Sequence, residues 1–284
     1  MRVATTVEDL RAAVGAARRA GQRIGFVPTM GNLHAGHESL LTLARQHSAF
    51  VVASVFVNPT QFGPLEDFAR YPRTPERDGE RLAAHGCDLL FLPTVDTLYP
   101  LGVARAVRMA VPGVSEVLDG ASRPGHFEGV ATVVTRLFNL VQPDLAVFGR
   151  KDYQQLLVVR ALVRDLGFPI DIVGAPTMRE GDGLAMSSRN QYLDTAQRAR
   201  ASTIFSVLSG MADALRTTRQ PISAIERAAV ARLRESGFEP DYAVVRLRED
   251  LAAPADDARA GLVALVAARI GGVRLIDNLE IEAE

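Results

Sequence analysis

The sequence predicts an α/β protein: a doubly wound parallel sheet with a smaller C-terminal α+β domain. Three observations predict it. Short and almost wholly apolar runs, led by residues 50–57, read as strands buried on both faces. These runs alternate with amphipathic helical segments as far as Pro176. Beyond a glycine- and serine-bearing loop at 177–194, the alternation gives way to helices followed by strands. The boundaries are therefore drawn at 1–176, a Rossmann-like domain, and 177–284, the smaller one.

Each element has a local justification. Residues 3–20 read as a helix, with Thr6 as its cap and Val7, Leu10 and Val14 on one face. A strand follows at 24–28, then the loop TMGNLHAG, then a helix at 37–47 carrying Leu40, Leu41 and Ala44. The strand at 50–57 runs into a long polar loop punctuated by Pro59, Pro64, Pro72 and Pro75. A helix at 76–85 and a strand at 88–92 come next. A helix at 125–141, a strand at 145–148, a helix at 152–166 and a strand at 170–173 complete the alternation. The C-terminal part reads as helices at about 195–217 and 221–236, then strands at 242–247, 262–268 and 273–279.

The chain has 284 residues, and its 32 basic and 33 acidic side chains leave a net charge of −1. Such a balance provides no global field for a nucleic-acid backbone, so no nucleic-acid partner is expected. A single cysteine, Cys87, excludes an intrachain disulfide and fits a reducing compartment. No apolar run is long enough for a membrane span, and the amphipathic N-terminus lacks the core of a signal peptide. A cytoplasmic protein is expected. All the basic side chains but one are arginine, and the exception is Lys151, in FGRKDYQQL. A compact ammonium and a planar guanidinium are not interchangeable, which singles Lys151 out.

Four segments carry chemistry. In PTMGNLHAGHESLL a strand gives way to a helix at the carboxyl end of the sheet, where ligands bind. A helix start offers backbone N–H groups and a positive dipole end, both suited to phosphate. Gly31 and Gly36 allow close backbone approach, and His34 and His37 are three apart. Zinc pairs on a helix favour a spacing of four with a carboxylate nearby, so phosphate is the better reading. VNPTQFG follows the second strand and presents the amides of Asn58 and Gln61. FGRKDYQQL places Lys151 at another strand-to-helix transition, with Asp152 as a helix cap. MSSRN offers hydroxyls and a guanidinium to phosphate oxygens. Asp78, Arg123 and His126 are weaker candidates, as readily explained as loop residues.

His-Ala-Gly-His resembles the HxGH signature of the nucleotidylyltransferase and class I aminoacyl-tRNA synthetase superfamily. The longer strings PTMGNLHAGHESLL, SVFVNPTQFGPLEDFARYPRT, FGRKDYQQL and REGDGLAMSSRNQYL resemble the pantoate–β-alanine ligase family over residues 26–193. That resemblance implies an ATP-dependent ligase of cytoplasmic pantothenate biosynthesis, acting as a homodimer. It implies catalytic roles for His37, His34 and Lys151. It assigns ATP to Met30, Gly31, Asn32, Leu33, His34, Ala35, Gly36 and His37, to Gly149, Arg150, Lys151 and Asp152, and to Met178, Met186, Ser187, Ser188 and Arg189. Gln61, Gln155 and Asn58 are assigned to pantoate and β-alanine, and Mg2+ is expected with ATP, its ligands unassigned. Two departures are Arg150, where the family commonly has Glu, and Met178, where it often has Val.

The implied reaction has two steps. The pantoate carboxylate attacks the α-phosphorus of ATP and pyrophosphate leaves; the β-alanine amine then attacks the acyl adenylate, and AMP leaves. Aligning two anions and stabilising the departing charge are the main tasks. The mixed anhydride must be kept from water, and the segments at 59–75 and 177–189 are candidate lids. The alternatives are another HxGH nucleotidylyltransferase, which needs no amine, and a non-catalytic nucleotide-binding module.

Overall fold

A computed structural model describes residues 1–64, 66 and 68–282 of the chain. The first elements are β1 (Arg2–Ala4), α1 (Val7–Arg19), β2 (Ile24–Thr29), α2 (Ala35–His47) and β3 (Phe50–Val55). Next come α3 (Pro75–Ala84), β4 (Leu89–Phe91), α4 (Val95–Leu98), α5 (Asp119–Ser122) and α6 (His126–Val141). β5 (Leu145–Gly149), α7 (Tyr153–Asp165) and β6 (Asp171–Ala175) close the series. The six strands form one parallel sheet in the order β1-β4-β3-β2-β5-β6.

The apolar runs do not alternate with polar residues because both faces of this sheet are covered. Phe26, Val52, Phe91, Ala146 and Phe148 pack in one cluster with residues of α1, α6 and α7. Val27, Val51, Ala53, Leu90, Leu145 and Val147 pack in another with residues of α2 and α3. The period of two along each strand thus sends successive residues to opposite layers. From β2 the chain crosses through α2 to β3; from β5 it crosses through α7 to β6, on the other side of β2. The winding reverses between the neighbours β2 and β5, and their carboxyl ends flank the crevice that doubly wound sheets use for ligands. The doubly wound fold expected from sequence is the fold observed.

Three local readings change. The N-terminal helix expected from residue 3 starts at Val7, and Thr6 caps it by accepting from the Asp9 N–H at 3.1 Å. Arg2–Ala4 is an edge strand on β4; three residues are too few to show a period. The helix expected at 195–217 is two, α8 (Thr195–Ala201) and α9 (Thr203–Thr217), parted at Ser202. Asp152 lies within a 3-10 turn, Arg150–Asp152, that precedes α7.

The remaining elements are α10 (Ile222–Glu235), β7 (Glu239–Leu247), β8 (Leu262–Ile270) and β9 (Val273–Ile281). The strands form an antiparallel sheet, β7-β8-β9, whose core is shared with α9 and α10. Gly271 and Gly272 join β8 to β9 with φ of 55° and 80°, as a two-residue hairpin of this hand requires. The chain divides into two compact units: Met1–Arg150 with Gln154–Pro176, and Lys151–Tyr153 with Thr177–Glu284. Among the described residues no helix is long and apolar enough to cross a membrane.

Candidate active site

In the first unit the chain leaves β2 through two residues of positive φ, Gly31 at 83° and Asn32 at 51°. Two successive left-handed residues turn the backbone so that consecutive N–H groups point the same way. Asn32 and Leu33 donate to the two carboxylate oxygens of Asp78 at 3.0 and 2.8 Å. Thr74 Oγ1 donates to the same carboxylate at 3.1 Å. A Cβ on Gly31 would lie 2.9 Å from Asp78 Oδ2, so only glycine fits. Asp78 is 1% exposed, and its bonds make it the clamp of this turn.

The turn delivers His34 to the N-cap of α2. His34 Nδ1 accepts from the Gly36 N–H at 3.2 Å, and the His34 N–H donates to His37 Nδ1 at 3.3 Å. The two rings are 4.2 Å apart between centroids. Because both Nδ1 atoms accept, each neutral imidazole carries its proton on Nε2. The capping box therefore selects one tautomer in both rings and satisfies two helix-start N–H groups. Chemically, the pair is a set of Nε2–H donors at the positive end of a helix, beside the crevice.

The strand β3 ends at the next amides. Asn58 is 1% exposed and donates from Nδ2 to Gln61 Oε1 at 3.2 Å and to the Gly129 carbonyl at 3.1 Å. Its Oδ1 accepts from the Tyr99 hydroxyl at 2.7 Å and from Thr60 Oγ1 at 3.0 Å. Asn58, expected to bind substrate, commits its amide to the scaffold and orients Gln61 through it. The Gln61 Nε2 faces Met30 Sδ at 2.8 Å. Helix α6 approaches so closely that a Cβ on Gly129 would sit 2.3 Å from the Thr60 carbonyl oxygen. Gln155 is half-buried in the first turn of α7, past the carboxyl end of β5.

Arg123 and His126 form a second cluster with Glu66, which sequence reasoning passed over. Arg123 holds both Glu66 oxygens at 2.7 and 2.6 Å and donates to His126 Nε2 at 2.9 Å. His126 Nδ1–H then donates to the Gln61 carbonyl at 2.7 Å. Burial alone would raise the Glu66 pKa, but the bonds and charge of Arg123 hold it below the ordinary carboxylate range. Burial, reinforced by Arg123, pushes His126 down from 6.5 to about 4. The unfolded chain thus binds a proton between these values that the folded chain refuses. Stability is expected in full above pH 6.5 and to fall as the pH drops towards 4, by about 3 kcal/mol at most. Urea unfolding near pH 7.5 and pH 4.5 checks this. His126→Asn should flatten the dependence, and an unchanged slope would exclude His126 as its source.

In the second unit, Lys151 is half-buried, with Nζ 3.8 Å from Asp152 Oδ1. Arg150, in the first unit, donates from Nε to the Gly174 carbonyl at 3.1 Å, which ties that side chain to β6. Residues 178–186 form a hairpin closed by Met186 N–H to the Met178 carbonyl at 2.9 Å and by the bridge Arg179–Ala185. It opens into a 3-10 turn, Ser188–Tyr192, capped by Ser187 Oγ, which accepts from the Arg189 N–H at 3.2 Å. Asn190 Nδ2 bonds the Ala185 carbonyl at 3.1 Å, fixing MSSR to the hairpin. The Met178 side chain is exposed. Asp277 and Asn278 bond the hairpin and the Lys151 carbonyl, and sequence reasoning missed both. Their signal is faint: two polar residues interrupting the apolar pattern of β9.

The family model for pantoate-beta-alanine ligase matches residues 2–280. A pantothenate synthetase of Xanthomonas axonopodis pv. citri is 59% identical over 276 residues, 97% of this chain and 98% of that protein. A crystal structure of pantothenate synthetase from Thermus thermophilus superposes with a TM-score of 0.92 at 50% identity, covering 100% of both chains. A pantoate-beta-alanine ligase from Francisella tularensis, crystallised with beta-gamma ATP and beta-alanine, has a TM-score of 0.83 at 32% identity. It covers 100% of this chain and 99% of that one.

Proposed function

The chain belongs to the pantoate–β-alanine ligase family and is a ligase, and from that premise we propose that it works in two steps through a pantoyl adenylate. ATP is the co-substrate: pantoate carboxylate oxygen attacks the α-phosphorus, and the bond from that phosphorus to the bridging oxygen of pyrophosphate breaks. The β-alanine nitrogen then attacks the acyl carbon, the bond to AMP breaks, and the nitrogen loses a proton as the amide forms. The observation that carries this reading is the tautomer pair at the start of α2, two Nε2–H donors where phosphate is best received.

Each group takes the task its own bonds allow. His34 and His37 donate to phosphate oxygens, and His37 follows the charge onto the departing pyrophosphate. Lys151 neutralises the same phosphates, with Ser187, Ser188 and Arg189 as further donors, while Gly149, Arg150 and Asp152 border the nucleotide. Met30, Gly31, Asn32, Leu33, Ala35 and Gly36 contribute the backbone of the turn, and Met178 and Met186 the backbone of the hairpin. Gln61 and Gln155 hold pantoate by uncharged hydrogen bonds, Gln61 in the orientation that Asn58 sets. Among the described residues no cluster of three His, Cys, Asp or Glu could hold a metal ion. Mg2+, where it accompanies ATP, would neutralise charge on the nucleotide phosphates, and no step is routed through it. Assembly as a homodimer belongs to the same reading, and sedimentation would test it.

Rapid-quench measurement of pyrophosphate from ATP and pantoate, with and without β-alanine, tests the order of steps. One equivalent of pyrophosphate per site is expected without the amine, and AMP with turnover on adding it. Pyrophosphate that appears only when all three substrates are present would overturn the adenylate. An adenylylated product that ignores the amine would make the protein another nucleotidylyltransferase. Nucleotide binding with no chemistry would leave a binding module.

A further inference from the structure

We propose that Asp277 and Asn278 of β9 are positioning residues for adenylate formation, one strand setting both the Lys151 backbone and the hairpin that leads into Met186-Ser187-Ser188-Arg189. The inference rests on the two-step reading above. Neighbours on a strand project to opposite faces, so two adjacent residues can hold two different loops. Asn278 Nδ2 donates to the Lys151 carbonyl at 2.8 Å. Asp277, 4% exposed, binds the Arg179 guanidinium at 2.6 and 3.0 Å. The same guanidinium donates to the Gly183 carbonyl at 3.0 Å and to the Asn278 carbonyl at 3.3 Å, and it lies 4.1 Å from the centre of the Phe205 ring. The Asn278 N–H closes the unit by donating to Asp277 Oδ1 at 2.8 Å.

Stability alone does not call for this arrangement. A buried ion pair is commonly replaced by apolar residues without loss, because desolvation offsets its attraction. What the fork supplies is direction: a bidentate pair fixes the plane of Arg179, and the plane fixes the mouth of the hairpin. The hairpin runs directly into the Ser187 cap and is bonded by Asn190 at the Ala185 carbonyl, so its register is also the register of the MSSR loop. The lysine and the loop donors are thereby indexed to one piece of backbone. Misplacement of catalytic groups by about 1 Å is enough to cost on the order of a hundredfold in rate.

The test separates the half-reactions in the full-length protein. Pyrophosphate release from ATP and pantoate is compared with consumption of preformed pantoyl adenylate by β-alanine, for wild type, Asn278→Ala and Arg179→Lys. Arg179→Lys keeps the charge and removes the fork. Both variants are expected to slow the first half-reaction roughly ten- to a hundredfold at saturating substrate. The second should stay within about twofold, and the loss of buried hydrogen bonds should lower both melting temperatures without changing that ratio. Equal loss in both half-reactions, or loss in neither, overturns the proposal. Should Asn278→Ala not fold, Asn278→Ser is judged by the same ratio. Wild-type protein that releases no pyrophosphate from ATP and pantoate would overturn the proposed function, and this inference with it.

Discussion

Lys151→Ala is expected to lower the rate of pyrophosphate release roughly a thousandfold while leaving the folded state almost as stable as wild type. The stability forecast follows from what Lys151 holds. Its ammonium has an exposed acid, Asp152, at 3.8 Å, a pair worth little in water. The bond that fixes the residue uses its backbone carbonyl, which alanine keeps. The rate forecast follows from the proposed first step: two anions would meet and charge would move onto pyrophosphate, in a reaction where proteins act by positioning and charge. Lys151→Arg is the sharper experiment. In a chain that uses arginine for every other basic side chain, a lysine matters only if a compact, pivoting charge is needed. Arginine is therefore expected not to restore the rate. A Lys151→Arg protein as fast as wild type would make the lone lysine an accident of composition.

His37 carries the second large expected effect, and its two ring nitrogens divide the cap seen in the structure from the phosphate contact proposed for it. Its Nδ1 accepts the His34 N–H and completes the helix cap; its Nε2–H is the donor assigned to the phosphates. Asparagine places an oxygen near the Nδ1 position and nothing at Nε2. His37→Asn is thus expected to keep the cap and to slow adenylate formation about a hundredfold or more. His37→Ala should lose the same rate and, in addition, about 1 kcal/mol of stability with the cap. His37→Gln, which returns an N–H near Nε2, should recover part of the rate and none of the cap. Single-turnover rates and urea midpoints read the two effects separately. Slowing confined to the β-alanine step would assign His37 to the wrong half-reaction.

The legible part of the candidate site is the part written in short strings. His34 and His37 sit three apart on one helix turn, Lys151 stands alone among arginines, and the serines of MSSR are consecutive. Their chemistry depends on spacing and on a strand ending before a helix begins, and both can be read along the chain. Asn58 stands beside Gln61 in the sequence, but the partners of its amide, Tyr99, Thr60 and Gly129, cannot be read from the string. Asp78 reads as a loop acid along the chain, yet its carboxylate accepts from Asn32 and Leu33, the latter 45 residues earlier.

By itself the sequence determined the doubly wound parallel core and the candidate side chains that follow strand ends. Hydrophobic runs and helix starts are local, and the hydrophobic effect reads them without regard to which distant partner completes the layer. Only the tertiary structure decided where the winding reverses and which polar residues hold those side chains in place. Arg123 with Glu66 and Arg179 with Asp277 are pairs far apart in the chain. A buried polar group must find a partner within hydrogen-bond reach, and that partner is selected by where the fold brings the backbone. No period or spacing along the sequence encodes it.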